Sequence, residues 1–427
     1  MNIRHLDGKI SFSDAPSHQE FLALGEQGYD LVLNNRPDEE EGEFLLHAQE
    51  KALAEQQDIT YVYLPFTFDS LTWETVYTFN RLIRRGKKTL AHCRSGSRSV
   101  ALYLLYELNE GHIDEASFRQ QCSTLGSDAD KALAWYARRQ QHTPEAEVYH
   151  FYESASGSMQ YVIADTECGR CAIIDPVMDF DRKSAAVSYQ QANEILDFIN
   201  KRKWQVAWIL DTHPHADHFS AAAWLSEQTG APTAIGEKVS GVQALWKTLY
   251  HLPSIRDPEA IWDALFKDGD IFYIGNLRGE VIFSPGHTLA SVSYHIGNSA
   301  FIHDTLFMPD SGTARADFPG GSAEDLWNTI QRILALPSDT RLFTGHDYRH
   351  DGREAQCEST ISEQKENNAY LVNTDRQAFI NMRKERDATL PLPDLMLMAL
   401  QININGGNLP EPEADGNVYL KIPLNRF

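Results

Sequence analysis

Short apolar runs alternate with amphipathic stretches over the first 110 or so residues. Residues 30–33 (DLVL) and 60–64 (TYVYL) are rich in β-branched and aromatic side chains, and each predicts a short buried strand. Residues 71–85 carry a helical period that Gly86 stops; 89–92 predict another strand, and 100–108 an apolar helix behind a loop of small residues. Strand–helix alternation of this kind predicts an α/β domain with a largely parallel sheet. The polar, proline-containing stretch 138–147 (RRQQHTPEAE) reads as an exposed linker, dividing the chain into segments 1–141 and 147–427. Beyond it, 148–151, 159–164 and 171–174 predict the strands of a meander. A helix (188–202), a strand (206–210) and a histidine-rich loop follow, then strand–loop units ending at Pro285-Gly286-His287, His303-Asp304 and Gly345-His346. Metal-binding residue types at the ends of successive strands predict one composite site on the edge of a layered α/β domain.

The chain's 427 residues exceed what one hydrophobic core usually serves, in agreement with two domains. Sixty acidic against 38 basic residues give a formal net charge of −22, which argues against nucleic acid or an anionic membrane as the main partner. The five cysteines are odd in number and sparse, so no disulfide framework is expected and a reducing compartment fits. The first residues lack an apolar signal-type core, and no stretch approaches the ~20 apolar residues of a membrane span. A cytoplasmic protein is the expectation.

The loop Thr212-His213-Pro214-His215-Ala216-Asp217-His218 sets three imidazoles and a carboxylate directly after an apolar strand. These are the ligands that zinc and iron(II) take. With Ser284-Pro285-Gly286-His287-Thr288, then His303-Asp304-Thr305, then Thr344-Gly345-His346-Asp347-Tyr348, the loop resembles the ordered metal-ligand motifs of the metallo-β-lactamase superfamily, which implies an αββα sandwich with its site at the sheet edge. In glyoxalase II-like hydrolases of that superfamily the matching residues would hold two zincs: His213, His215, His287 and Asp304 one, and Asp217, His218, Asp304 and His346 the other. In its persulfide dioxygenases the equivalents of His213, His287 and Asp304 hold one iron(II), a 2-His-1-carboxylate face with open positions. His215, Asp217, His218 and His346 then become additional residues around that iron.

The balance is tipped outside the ligands. The stretch 309–321 (PDSGTARADFPGG) resembles dioxygenases, in which the equivalent of Arg315 contacts a carboxylate of a glutathione-type substrate. Segments 361–368, 382–386 and 419–425 resemble the dioxygenase tail rather than the basic tail of glyoxalase II. The resemblance also implies that Tyr348 hydrogen-bonds the substrate's sulfur or cysteinyl group; the bland alternative is a core tyrosine with a satisfied hydroxyl.

In the first segment, Leu90-Ala91-His92-Cys93-Arg94-Ser95-Gly96-Ser97-Arg98-Ser99 lies between a strand and an apolar helix. Backbone N–H groups at a helix N-terminus stabilise an anion or thiolate, and with Arg98 they would make Cys93 nucleophilic. Residues 31–37 and 63–65 resemble the scaffold of dual-specificity phosphatases, in which Asp69 falls near the place of a general acid. Four residues, not the phosphatase five, separate Cys93 from Arg98, and the loop resembles that of rhodaneses, which carry a cysteine persulfide. Cys168 and Cys171 sit at a C-x-x-C spacing on a hairpin turn, and no second pair completes a metal site.

The layout resembles the bacterial β-lactamase-hydrolase-like proteins, associated with sulfide detoxification. That resemblance implies a persulfide dioxygenase holding one Fe(II) per chain, which oxidises glutathione persulfide or a similar persulfide with O2 to sulfite and thiol. It also implies sulfur transfer at Cys93 and a homo-oligomer. The alternative is a dinuclear zinc thioester hydrolase with a phosphatase or persulfide-sensing first domain.

Overall fold

The computed structural model describes residues 1–426. The chain forms two compact units, one over Met1–Thr143 and the other from Pro144 onward. In the first, a five-stranded sheet runs in the order Arg4–His5, Ile10–Ser13, Thr89–His92, Leu31–Asn34, Thr60–Tyr63, parallel except for its first pair. The central strand Thr89–His92 is buried at every residue, as expected of a parallel strand covered on both faces. Leu31–Asn34 runs one residue past its apolar pattern because Asn34, though polar, is buried with its amide donating to Glu50 at 2.7 Å. Thr72 caps the helix Trp73–Ile83 by accepting from the Thr75 N–H, so this helix starts two residues later than its period suggests. The helix Ser97–Asn109 starts earlier than predicted, directly after Gly96 in the left-handed conformation.

The second unit stacks two six-stranded sheets. One runs Ala264–Phe266, Thr233–Gly236, Gln205–Leu210, Arg170–Ile174, Ser158–Asp165, Ala146–Glu153; the other runs Ile271–Ile274, Leu277–Phe283, Val292–Ile296, Ser299–His303, Arg341–Thr344, Glu358–Thr360. Between them lies an aromatic core that includes Tyr161, Trp208, Phe272, Tyr294, Phe301 and Phe343. Ile195, Ile199 and Leu225, from the helices Gln190–Arg202 and Ala222–Thr229, cover the outer face of the first sheet. Leu326, Ile330 and Phe379, from Ala323–Leu334 and Arg376–Asp387, cover the second. The result is the expected αββα sandwich.

The predicted meander is present, and its antiparallel strands Ser158–Asp165 and Arg170–Ile174 carry Cys168 at their turn. The sequence did not signal a small sheet of Ala186–Ser188, Val177–Asp181 and Phe219–Ser220. Residues 186–188 pair with 179–181 instead of opening the next helix, which therefore begins at Gln190, not 188. Among the described residues no helix is long and apolar enough to cross a membrane.

Candidate functional site

The strand Gln205–Leu210 delivers the histidine loop, and Leu277–Phe283, Ser299–His303 and Arg341–Thr344 deliver the other candidate ligands, all on one edge of the sandwich. One ligand atom each from His213, His287 and Asp304 lie within 4.8 Å of one another, all three residues buried. His215, Asp217 and His218 form a second such group. His346 Nε2 lies 3.4 Å from Asp217 and 3.5 Å from Asp304, close to both groups.

Two glycines make this convergence possible. A Cβ at Gly345 would meet Asp304 Oδ1 at 2.5 Å, and one at Gly286 (φ +137) would meet the Leu326 backbone at 2.4 Å. The Gly-His pairs of the motifs are therefore steric requirements.

Hydrogen bonds fix which imidazole nitrogen is free. His287 Nδ1 lies 2.8 Å from the Arg315 carbonyl, which can only accept, so Nδ1 carries the proton and Nε2 keeps its lone pair, 3.4 Å from Asp304 Oδ2. The Thr212 hydroxyl donates to Asp175 at 2.8 Å, which leaves its oxygen to accept from His213 Nδ1 at 3.0 Å. His213 is thus held in the same tautomer. His215 differs, because its Nε2 is tied to Asp175 at 3.0 Å. Burial would lower its pKa, but the Asp175 carboxylate offsets this and raises it to about 9. Burial, with the neighbouring imidazoles, holds His213 well below the usual histidine range, and burial lowers His287 as well. Both are therefore neutral, as ligands must be.

Asp304 Oδ1, His215 Nδ1 and His218 Nε2 are buried with no hydrogen-bond partner. Buried polar atoms are rarely left orphaned, and a cation would satisfy donors of this kind. The residues fit a divalent metal.

Beside the ligands opens a cavity of about 950 Å³, bordered by the 177–188 hairpin and by the strap Leu390–Leu395. Tyr348 lines it with 61% of its surface exposed and its ring parallel to His346, so it is not a core tyrosine. Arg315 also lines it, with its guanidinium on Asp317 (2.6 and 2.7 Å) and on the Pro391 carbonyl (2.7 Å).

Sequence reasoning missed three supports. Asp175 accepts from the Thr212 N–H and hydroxyl and bonds His215. Asn403 donates to the carbonyls of His215 and His218, both at 2.7 Å, and accepts from the Ser220 N–H at 2.8 Å. Arg383, buried, joins Asp387 to the Thr313 carbonyl, while Asp387 accepts from the Ala316 N–H.

In the first unit, Cys93 is buried, and its sulfur accepts from the Gly96 N–H at 3.1 Å. Arg98 feels the Cys93 sulfur, yet its guanidinium is gripped by Glu40 (2.7 and 2.8 Å) and by the Phe66 carbonyl (3.0 Å). Asp69 is exposed. The thiols of Cys168 and Cys171 hydrogen-bond the carbonyls of Asp165 and Gln205.

Comparison with known proteins agrees with this division. The metallo-β-lactamase superfamily matches residues 155–346, and the family described as "Beta-lactamase hydrolase-like protein, phosphatase-like domain" matches residues 2–108. The β-lactamase hydrolase-like protein of Xylella fastidiosa (strain Temecula1) is 48% identical over 426 residues, covering 100% of this chain and 98% of the relative. Glyoxylase B2 of Dictyostelium discoideum is 43% identical over 283 residues, 65% of this chain and 96% of the relative. Among solved structures, ETHE1 from Myxococcus xanthus superposes with a TM-score of 0.50 at 26% identity, covering 61% of this chain and 100% of that one. Matched along its whole length, the chain belongs to the β-lactamase hydrolase-like proteins, with a phosphatase-like domain followed by a metallo-β-lactamase-superfamily domain.

Proposed function

We propose that the second domain is an iron(II) persulfide dioxygenase acting on glutathione persulfide or a similar small persulfide, and that Cys93 of the first domain transfers sulfane sulfur. The observation that carries this reading is the convergence of His213, His287 and Asp304, the last two of which line a large cavity. Two neutral imidazoles and one carboxylate leave positions open on a metal, as oxygenases need. Bound iron would supply the redox chemistry by which O2, with one water giving the third oxygen, converts the outer sulfur of the persulfide to sulfite and frees the thiol.

The protein's own groups bind and orient. Asp175, through Thr212, and the Arg315 carbonyl hold the two imidazoles in the ligand tautomer. Tyr348, its hydroxyl without a protein partner among the described residues, donates to the substrate sulfur or cysteinyl group. Arg315 uses its remaining N–H groups on a substrate carboxylate. In this reading His215 would be an outer support, its Nε2 held by Asp175, whereas its unpartnered Nδ1 would become a ligand in the dinuclear alternative.

For Cys93, the grip of Glu40 on Arg98 supports sulfur transfer over phosphate hydrolysis, because a phosphatase arginine must be available to a phosphate dianion. The Cys93 thiolate attacks the outer sulfur of R–S–SH, the S–S bond breaks, RS⁻ leaves and Cys93–S–SH forms. An acceptor thiolate then takes that sulfur and regenerates the thiolate.

A dinuclear zinc thioester hydrolase is the second reading, favoured by the approach of His346 to both Asp217 and Asp304. Metal analysis of protein purified without added metal, with O2 uptake on glutathione persulfide, decides between them. One iron per chain and O2 uptake support the dioxygenase. Two zincs per chain and thioester hydrolysis without O2 uptake overturn it.

A further inference from the structure

Four arginines line the cavity beside the ligands: Arg182, Arg315, Arg383 and Arg386. Three have carboxylates of their own. Arg182 lies 2.6 Å from Asp394, Arg315 is forked onto Asp317, and the buried Arg383 lies 2.6 Å from Asp387. Arg386 has no carboxylate partner among the described residues. Its guanidinium sits 5.5 Å from the centre of the Tyr370 ring, a contact that holds the side chain yet consumes none of its five N–H donors.

This solitude is informative in a chain with 60 acidic and 38 basic residues. The cavity wall itself carries Glu153, Asp179, Asp181 and Asp394 besides the candidate ligands Asp217 and Asp304, and none of these takes Arg386. The residue is also well placed. It occupies the last turn of Arg376–Asp387, the turn that the Arg383–Asp387 pair ties to the wall segment Thr313–Ala316. An arginine on an anchored helix turn, steadied by an aromatic ring and open to the cavity, is a preorganised site for an anion brought by the substrate.

We infer that Arg386 is a substrate-positioning residue that takes a carboxylate of the bound thiol compound, remote from its reacting sulfur. The substrate class is thereby narrowed to thiol derivatives bearing at least one free carboxylate away from the sulfur. Arg315 and Arg386 together suit a dicarboxylate of glutathione type. The inference rests on the reading above only in taking the occupant of this cavity to be a small thiol derivative.

Arg386→Gln in the full-length metal-loaded protein tests it, with glutathione persulfide compared against the persulfide of 2-mercaptoethanol, which has no carboxylate. The expected result is a rise of roughly 10- to 100-fold in KM for glutathione persulfide, the range for a hydrogen bond to a charged group. The kcat and the kinetics with the carboxylate-free persulfide stay unchanged. Arg386→Lys recovers part of the loss, since lysine keeps the charge but not the fork. Calorimetric binding of glutathione itself weakens by the same factor. An unchanged KM, or an equal loss with both persulfides, overturns the inference, as does a wild-type protein that binds no glutathione. If the wild type oxidises no persulfide yet binds glutathione in an Arg386-dependent way, the dioxygenase reading fails and the assignment of Arg386 stands.

Discussion

The two nitrogens of each imidazole divide the histidines of the site into classes. His213 and His287 each have Nδ1 occupied and Nε2 available, whereas His215 has Nε2 on Asp175 and only Nδ1 available. His213→Ala, His287→Ala and Asp304→Ala should each purify without iron and show no O2 uptake. His215→Ala should keep measurable iron, because the loss on removing an outer support is typically about 10–100-fold in affinity or activity rather than total. Metal analysis of the four variants checks this, and an empty His215→Ala would overturn the mononuclear assignment. The cysteines give an equally local forecast. Cys93→Ser should abolish sulfur transfer to an acceptor thiol and leave oxidation of preformed glutathione persulfide intact, since no candidate iron ligand changes. Mass spectrometry after brief alkylation at pH 8 should find Cys93, whose sulfur has the Gly96 N–H and Arg98 beside it, modified ahead of the likewise buried Cys122 and Cys357. Cys122 and Cys357 should lag, because burial pushes their thiols up to about 11 and about 12 and leaves little thiolate at that pH. Equal labelling of the three would remove the case for an activated Cys93.

Among the elements, the helix Arg376–Asp387 does two jobs: it covers one sheet with Phe379 and Ile380, and it braces the cavity wall with Arg383 and Asp387. Breaking a buried ion pair strands its partner, so Asp387→Ala should destabilise the second unit by about 3–5 kcal/mol. Arg383→Met with Asp387→Leu should recover much of that loss. Urea unfolding followed by tryptophan fluorescence measures both, and a double variant no better than Asp387→Ala would contradict the account. How much of this was legible follows from sequence distance. The ligand loop could be read because His213 to His218 lie within six positions of one another, and the strand ends because His287, Asp304 and His346 each follow an apolar run. Elements were placed to within one to three residues, and the errors arose where a polar residue was buried (Asn34) or a cap set the start (Thr72). Asp175, 37 residues before Thr212, and Asn403, 188 after His215, carry no local signal, since each acts through hydrogen bonds that only the tertiary fold creates. The same holds for the solitude of Arg386, which depends on where every neighbouring carboxylate has gone.

The whole molecule is two units with separate hydrophobic cores, one built on Phe21, Val32 and Leu90 and the other on the aromatic layer between two sheets. Only the second contains the candidate metal ligands. Calorimetry of the full-length protein should therefore show two transitions, of which chelation lowers one. A metal present at 1,000 times its Kd contributes about 4 kcal/mol to the state that binds it. A chelator that shifts both transitions equally, or neither, would count against a metal confined to the second unit. Asn403 has a consequence for how this unit is made. Its amide closes the histidine loop from 185 residues beyond His218. At about 5–20 residues per second, a ribosome takes roughly 10–40 s to travel that far. Through that interval the carbonyls of His215 and His218 lack their clamp, so the histidine loop reaches its finished shape only once nearly all of the chain has been made.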